Sequence, residues 1–549
     1  MALIIEPHLD SGQANWPSPQ SISADSRGNF DGQTNELLTL EQSNLTSHQL
    51  QVWMGQSLIP EVPIYNLAVA LKIHGAVDLV HFGKAFQVLI NSSDALRTVI
   101  EEIDGVPMQR ILATLTYTTS FVDLSSLPDP HARAHNWMLE RCNTLLDRQR
   151  RLFDSTLIKL AETEFVWCLV VHHLISDSWS FELIYCHMAD LYRRSMQGEL
   201  PDSLKLFPFA NYVSHERVQR NSPRHRSSKA YWKEFLSETG DETVFYGKAR
   251  EKATTRVRRI SRDLGPGRTR RLRSVLASVG QQASVLQIFA GILVGYLHCL
   301  NGKETHVIGI PFHNRRSKIF KETIGFFSEV LPVRISLGDD ETFVSLLPKL
   351  KAAVFQAARH GGYAVASPYF KRPYDVVLNY HTHSFSDFAG MAAWQQWIHN
   401  GHGDESLTIQ ISDFGSSKSL AVDFELHEAI FSEQQSEQAA SHFFRVLDAF
   451  LADPQQLLRR LSLLSPEEAQ RVAMAWNQTT SEPLEERYAH NLFEDQVRQR
   501  PDALAVVLEE EKLSYRELNG RANQLAIGCK ALEWGRKPLL VCAWSGRRR

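Results

Sequence analysis

The sequence predicts a mixed α/β (α+β) protein with more than one core-bearing unit. Its 549 residues exceed the ~250–300 residues at which a single hydrophobic core stops growing. An apolar strand pattern at 164–173 is followed by a tight loop and then by a helical pattern. A second segment, from about 256 to 460, again mixes apolar strands with apolar helices. Strand and helix patterns interleaved in this way are typical of α/β and α+β folds.

Charge and cysteine usage narrow the classes of function. The net charge of −3, with no stripe of basic residues, gives no reason to expect a nucleic acid or an acidic membrane as partner. The six cysteines include no CxxC pair, which argues against a disulfide framework and a zinc ribbon.

Nothing in the sequence predicts a membrane protein. The first residues lack the basic region and the long apolar region of a signal peptide. The most apolar run, 284–300, is short for a bilayer and contains Gln287 and His298, so it is predicted as a buried helix. We therefore expect a soluble, cytoplasmic protein.

The predicted elements follow one another in a definite order. Residues 164–173 are apolar and β-branched, as in a buried strand. Apolar residues recur at helical spacing from Leu183 to Leu191, and Asp177 or Ser178 stands where the N-cap of that helix belongs. Further along the chain we predict a crossover between two lobes at 211–225, a helix at 284–300, strands at 306–310, 330–335 and 374–380, and an amphipathic helix at 437–451.

The sharpest local feature is a pair of histidines, His172 and His173, at the end of the first strand, with Asp177 after them. Adjacent side chains of a strand point to opposite faces, so one imidazole can face the interior while the other faces a cleft. A neutral imidazole in a cleft can accept a proton from an attacking amine, or orient it. The free N–H groups of a helix that begins near Ser178 could stabilise an oxyanion.

Plainer interpretations fit the same residues. A histidine pair at a strand end is more often packed or metal-bound than catalytic, and Asp177 can be a helix cap alone. A metal site is disfavoured, because adjacent histidines diverge in a strand and no third ligand is spaced to join them. The local pattern by itself leaves acyl transfer and a structural role equally open.

Motifs spread over 45–465 favour acyl transfer. The stretch HHLISDSWS at 172–180 resembles HHxxxDG, the signature of the condensation domains of nonribosomal peptide synthetases. Other motifs similar to those of this family follow in the expected order: the opening motif at 45–67, an LRTxF-like stretch at 95–99, the GxPxxNR turn at 309–315, an IGFFVNTLPLR-like element at 324–334 and the closing strand at 374–380.

The resemblance implies a fold and a set of domains. Two chloramphenicol-acetyltransferase-like lobes, 41–215 and 216–465, would form a V-shaped pseudo-dimer with a central tunnel. The segment before them, 1–40, is predicted to be disordered because it is rich in Ser, Gln, Asn, Asp and Gly without a sustained period. Phosphopantetheine arms of the donor and acceptor carrier domains would enter the tunnel from opposite mouths. Carrier domains and other synthetase modules would be the partners, their thioesters the substrates, and the chain would bind no cofactor of its own.

The resemblance also implies roles for single residues. His173 would be catalytic, positioning or deprotonating the acceptor amine as it attacks the donor thioester. His172 and Asp177 would be structural, and Asp177 would pair with Arg315. Ser178 and Trp179 would form the loop beside the oxyanion. The product would be an amide bond in nonribosomal peptide synthesis.

Some positions depart from the family pattern. Ser178 replaces a glycine, which would cost on the order of 1 kcal/mol if the position required φ > 0. Glu329 and Val330 stand where the family has Asn and Thr, and 92–94 replace its Arg-His-Glu. The departures at 92–94 and 329–330 are interpreted as differences of subtype. Ser178, together with a truncated C-terminal region, keeps a non-catalytic carrier-docking platform open as an alternative. An epimerisation-type relative is a second alternative.

The C-terminal region has a different resemblance. After a linker at 466–487, residues 488–526 are similar to the start of an adenylation domain, whose first core motif 513–518 matches. No Ser/Thr/Gly-rich phosphate loop follows, so 488–549 is interpreted as a truncated N-terminal piece without ATP chemistry. Continuation into adenylation favours a peptide-joining module over an epimerisation domain.

Overall fold

The computed structural model describes residues 42–220, 222–237, 243–248, 254–280, 283–362, 373–382, 385, 387–413, 419–475, 488–508 and 510–531. They form two compact units that divide between Leu463 and Leu464. The segment predicted as disordered, 1–40, lies outside the described residues, as does 476–487 of the predicted linker.

The first unit alternates helices and strands. Its helices are α1 (Ser47–Leu58), α2 (Leu79–Ser92), α3 (Pro130–Cys142), α4 (Ser178–Gln197), α5 (Phe209–Gln219), α6 (Pro223–Ser237), α7 (Gly265–Val279), α8 (Val285–Asn301), α9 (Lys318–Lys321), α10 (Phe343–His360) and α11 (Glu433–Ala452). Its strands are β1 (Asn66–His74), β2 (Thr98–Ile103), β3 (Val106–Ile111), β4 (Ser120–Asp123), β5 (Phe153–Ala161), β6 (Glu164–His172), β7 (Val257–Asp263), β8 (Thr305–Phe312), β9 (Glu329–Ser336), β10 (Val376–His381), β11 (Asp387–Phe388), β12 (Met391–Ile398), β13 (Leu407–Ser412) and β14 (Ala421–His427).

Two six-stranded sheets organise this unit. The first sheet has the strand order β11-β12-β1-β6-β5-β4, and the second has the order β7-β14-β13-β10-β8-β9. Every residue of β6 after Glu164 is buried, which explains why this strand reads as a continuous apolar run and not as an alternating one. The predicted mixed α/β class is confirmed.

One strand crosses the predicted boundary between lobes at 215/216. Strand β12 pairs antiparallel with β1, with Ile398 opposite Ala68 and Ala392 opposite His74. Residues 391–398 were predicted in the second lobe, whereas their hydrogen bonds place them in the first sheet. Ile324, Phe326 and Phe327 likewise pack into the core of the first sheet.

Helices occupy two stretches for which the sequence predicted a crossover and a linker. The polar stretch predicted as a crossover, 211–225, lies mostly in α5 and at the start of α6, because Tyr212 and Val213 supply a buried face. In the second unit, α12 (Pro466–Gln470) begins inside the predicted linker, with a capping box between Ser465 and Glu468.

A π-helical turn, Arg471–Ala475, follows α12, and the described residues from 488 onward form a helix, a hairpin and a helix. These are α13 (Ala489–Gln499), β15 (Leu504–Leu508), β16 (Glu511–Ser514) and α14 (Tyr515–Ala531). Within the described parts of both units, no helix is long and apolar enough to cross a membrane.

Candidate active site

The β6–α4 loop, residues His173–Asp177, joins the central strand of the first sheet to α4. The backbone holds the loop's start firmly, since the His172 N–H donates to the Leu152 carbonyl at 2.8 Å. The His173 N–H donates to the Tyr65 carbonyl at 2.9 Å. These backbone hydrogen bonds hold the main chain of both histidines in place independently of any side-chain contact.

His172 points into the protein and is 3% exposed. Its Nδ1 accepts the Leu174 N–H at 3.1 Å, so the proton of the neutral ring lies on Nε2. Burial, with smaller contributions from His173 and Arg148, lowers its pKa to about 3. A ring that stays neutral with its lone pair already engaged cannot serve as a base, which supports a structural role.

His173 is partly exposed and is oriented differently. Its Nδ1 lies 2.8 Å from the carbonyl oxygen of Ser176. A carbonyl only accepts, so Nδ1 carries the proton and Nε2 keeps a lone pair. Burial lowers the pKa of His173, against the opposing effects of the Ser176 carbonyl and Asp177. The imidazole is thus neutral around pH 7 and able to accept a proton at Nε2.

Asp177 is the N-cap of α4, as predicted for Asp177 or Ser178. Its Oδ1 accepts the Ser180 N–H at 2.9 Å, and its Oδ2 accepts the Phe327 N–H at 3.0 Å. Burial acts to raise the pKa of this carboxyl, but the nearby Arg315 guanidinium outweighs it and the pKa is lowered. Asp177 is therefore an ionised carboxylate.

Arg315 supplies the counter-charge and is 1% exposed. Its Nη2 lies 2.7 Å from Asp177 Oδ1, so the two residues that the sequence predicted as a pair are in contact. Its Nη1 donates to the carbonyls of Phe320 and Thr323 at 2.8 and 2.6 Å. The guanidinium carbon also lies 4.0 Å from the centre of the Phe327 ring. Arg315 ties the β6–α4 loop to the segment that precedes β9.

Ser180 is part of this connection, and the sequence analysis gave it no role. Its hydroxyl donates to the Gly325 carbonyl at 2.7 Å and accepts the Gly325 N–H at 3.0 Å. Arg315 Nη2 donates to the Ser180 hydroxyl oxygen at 2.8 Å. In the sequence, Ser180 stands three residues after the capping Asp177. That spacing predicts a hydrogen bond from the Ser180 backbone N–H to Asp177, but it predicts nothing about the Ser180 hydroxyl.

Ser178 and Trp179 form the first residues of α4. Ser178 is not among the described residues with positive φ, so the serine that replaces the family glycine introduces no backbone strain. Trp179 Nε1 donates to the Lys321 carbonyl at 2.9 Å, and its ring lies 5.1 Å from that of His313. Asp177 already takes the Ser180 N–H, so an oxyanion contact by the N–H groups of Ser178 or Trp179 stays a prediction.

The described residues contain no group of three or more His, Cys, Asp or Glu side chains that could hold a metal ion. What they bring together is the neutral imidazole of His173, with a lone pair on Nε2, on a loop held by the buried Asp177–Arg315 ion pair.

A profile of the condensation domain family matches residues 40–473. The chain belongs to this family. Condensation domains are acyltransferase-type enzymes that form amide bonds, and that prediction is confirmed for the chain as a member.

Curated relatives are synthetases of much greater length. The chain is 29% identical over 522 residues to one of the linear gramicidin synthase proteins of Brevibacillus parabrevis, covering 88% of the chain and 10% of the relative. It is 24% identical over 505 residues to a dimodular nonribosomal peptide synthase of Bacillus subtilis, covering 88% of the chain and 21% of the relative. The condensation domain chain thus spans about a tenth to a fifth of these relatives.

Solved condensation domains share the fold. The starter condensation domain of rhizomide synthetase, crystallised as a mutant with C8-CoA, superposes with a TM-score of 0.70 at 21% identity, over 76% of this chain and 97% of the other. The first condensation domain of the calcium-dependent antibiotic synthetase, with a substrate analogue, gives 0.68 at 23% identity, over 77% and 98%. The prediction of two chloramphenicol-acetyltransferase-like lobes is confirmed at the level of the fold.

Proposed function

We propose that this chain joins a carrier-bound donor acyl or aminoacyl thioester to the amine of a carrier-bound acceptor amino acid, and that His173 acts on that amine. The observation that supports the proposal is the contact between His173 Nδ1 and the Ser176 carbonyl. It fixes the tautomer and leaves Nε2 as a proton acceptor on a partly exposed ring.

In the proposed reaction the amine nitrogen attacks the thioester carbonyl carbon. Nε2 of His173 accepts a hydrogen bond from the amine and so orients its lone pair. A C–N bond forms, the C–S bond breaks, and the amine proton passes through Nε2 to the departing thiolate. The lowered pKa of His173 suits this relay, because an imidazolium that forms during the reaction gives up its proton readily.

The rest of the HHxxxD pattern holds this histidine in place. His172 is buried and neutral, and Asp177 with Arg315 fixes the far end of the β6–α4 loop. Removing either charge would leave the other buried without its partner, so these residues are positioning residues and not proton-transfer groups.

The partners follow from the same proposal. Donor and acceptor carrier domains bring phosphopantetheine thioesters to His173, other synthetase modules supply them, and the chain holds no cofactor itself. We place the reaction in the cytoplasm, without a nucleic acid or a membrane as partner.

The test is condensation with purified components. The chain is mixed with an aminoacyl donor carrier and an aminoacyl acceptor carrier, and dipeptidyl carrier is measured by intact-protein mass spectrometry. We expect product with wild type, a loss of at least about 100-fold in His173→Ala, as for removal of a proton-transfer group, and full activity in His131→Ala. His131 is a matched control, since its side chain is 59% exposed on α3.

The alternatives give different results in this test. Carrier binding without product from any substrate pair would favour a docking platform and contradict the proposal. Inversion of the donor α-carbon without amide formation would favour an epimerisation-type enzyme.

We further propose that 488–549, of which the structure describes 488–508 and 510–531, is the N-terminal piece of an adenylation domain. The motif 513–518 spans the end of β16 and the start of α14, where Ser514 and Glu517 make reciprocal capping bonds of 2.8 and 3.3 Å. This explains the Ser-x-x-Glu spacing physically.

A further inference from the structure

A second buried ion pair lies beside the candidate active site. His48 Nε2, from the first turn of α1, is 3.3 Å from Glu329 Oε1 at the start of β9. Each side chain is 3% exposed. Glu329 stands where the family pattern has asparagine, so this carboxylate is a particular feature of the chain.

Glu329 has further partners on its other oxygen. Its Oε2 accepts the Gly362 N–H at 2.6 Å and the Asn314 Nδ2–H at 3.2 Å. Burial acts to raise the pKa of Glu329, but His48 and these bonds outweigh it and the pKa is lowered. Both oxygens of an ionised, buried carboxylate are thus engaged.

The His48–Glu329 pair completes a closed ring of contacts among three segments near His173: helix α1, the β6–α4 loop and the segment 326–329. Helix α1 also contacts the β6–α4 loop, because Gln49 Nε2 donates to the Leu174 carbonyl at 2.9 Å. That loop contacts the segment 326–329 through the bond from the Phe327 N–H to Asp177 Oδ2. The His48–Glu329 contact joins the segment 326–329 back to α1.

Phe326 lies within this ring of contacts. Its ring centre is 4.5 Å from that of His173 and 6.4 Å from that of His48. Phe326 is 5% exposed, so its ring is held by the surrounding core and packs against the His173 imidazole from a fixed position. A shift of the segment 326–329 would therefore move the surface that His173 packs against.

We propose that the His48–Glu329 pair positions His173 for amide formation, by fixing the segment 326–329 and with it the Phe326 ring. The inference rests on the proposed role of His173 in proton transfer. Glu329 and His48 are positioning residues, since they act through Phe326 and the backbone and not on the substrate.

The charges around His48 should make the positioning of His173 by the His48–Glu329 pair depend on pH. Burial acts to lower the pKa of His48, but Glu329 outweighs it and the net shift is upward. Glu216 of α5 adds to the rise, and Arg220, the residue after α5, opposes it. His48 therefore keeps its proton to a higher pH than an ordinary histidine, and it loses that proton as the pH rises through its raised pKa. Condensation should then slow at alkaline pH, even though more of the acceptor amine is unprotonated there.

The test compares Glu329→Gln and His48→Gln with Glu341→Gln. Glu341 is a matched control: its side chain is 4% exposed and pairs with Lys349, outside this ring of contacts. We expect Glu329→Gln to lower kcat by about 10–100-fold, as small misplacements of a catalytic group do, with the acceptor KM changed by less than about 3-fold. The alkaline fall of kcat should disappear, and Glu341→Gln should match wild type.

A second readout does not need the reaction. Diethyl pyrocarbonate acylates neutral, accessible imidazoles, and peptide mapping by mass spectrometry reports the rate at His173. Loosening of Phe326 should raise that rate by at least about 3-fold in Glu329→Gln but not in Glu341→Gln. If Glu329→Gln does not fold, His48→Gln serves in both measurements, because it leaves the carboxylate with its bonds to Asn314 and Gly362.

The outcomes separate the two proposals. An unchanged acylation rate at His173 together with wild-type kcat and pH profile would overturn the positioning role, whatever else the chain does. A raised rate at His173 in a chain that makes no amide would support positioning and contradict the proposed reaction.

Discussion

Two arginine–aspartate pairs in this protein have almost the same geometry and very different surroundings. Arg315 Nη2 lies 2.7 Å from Asp177 Oδ1, and the side chains are 0% and 2% exposed. In the second unit, Arg516 Nη2 lies 3.0 Å from Asp502 Oδ1, and the side chains are 64% and 82% exposed. A distance therefore says little about what a pair does until burial is known.

The regions around the pairs differ in the same way. The β6–α4 loop is built on buried residues, including Leu174, Ile175 and Ser176. Among the described side chains of 488–528, none is buried. The first region can hold a side chain in a fixed position because most of its residues are buried. In the second region, the described side chains are exposed or half-buried. Four predictions test this difference.

The largest effect on the free energy of unfolding is expected from removing the arginine of each ion pair. Arg315→Met leaves the Asp177 carboxylate buried and unpaired, which should lower the free energy of unfolding by about 3–5 kcal/mol in urea denaturation. Arg516→Met should give no measurable change, because water solvates Asp502. Adding Asp177→Asn to Arg315→Met should recover part of the loss. Equal effects of the two arginine substitutions would show that burial does not distinguish the pairs.

Truncating apolar side chains should give the next largest difference. Leu174→Ala removes a fully buried side chain from the loop, and we expect a loss of about 2–5 kcal/mol in the free energy of unfolding. Leu508 is 64% exposed on β15, so Leu508→Ala should stay within about 0.5 kcal/mol of wild type. A small effect of Leu174→Ala would mean that the loop is not packed as described.

Acid should weaken the first region through His172. Its pKa of about 3 lies below the ordinary value of 6.5, so between these pH values the unfolded chain binds a proton that the folded chain does not. Stability is therefore lost as the pH falls through this window, by roughly 1.4 kcal/mol per unit for this one site. Asn can present an acceptor to the Leu174 N–H, so His172→Asn should show a shallower acid slope in denaturation at stepped pH. An unchanged slope would contradict the buried, neutral state of His172.

The smallest effects concern helix propensity. Ser178 begins α4 without positive φ, so Ser178→Gly should leave condensation activity within about 2-fold of wild type and lower stability by up to about 1 kcal/mol. In α14, a Cβ at Gly520 would meet no other atom within 4 Å, so Gly520→Ala should raise stability by up to about 1 kcal/mol. A gain of activity in Ser178→Gly would restore the idea that the missing glycine impairs this chain.

Local patterns predicted the elements around the site well. The strand expected at 164–173 is β6, the helix expected at 284–300 is α8, and the helix at 437–451 lies inside α11. Asp177 was expected at the N-cap of α4 and is found there. These elements are predictable because periodicity and capping depend on residues within a few positions of one another.

Contacts between distant residues were not predictable in this way. The pairing of β12 with β1, the bonds of Ser180 to Gly325 and the His48–Glu329 pair each join residues far apart in the chain. Helices α5 and α6 occupy most of the predicted crossover, and their buried residues pack into different cores: Tyr212 of α5 into that of the first sheet and Trp232 of α6 into that of the second. Glu329 was noticed only as a departure from the family, and the reason for a carboxylate there appeared with His48.

The sequence by itself determined the family, the order of the elements and the histidine pair at the end of β6, since these depend on residue types at fixed spacing. The tertiary structure alone decided which nitrogen of each histidine carries the proton, because the Leu174 N–H and the Ser176 carbonyl make that choice. It also decided that Asp177 is ionised while buried, since the compensating charge comes from Arg315 on a distant part of the chain. Tautomers and buried charges depend on three-dimensional neighbours, which no spacing along a sequence specifies.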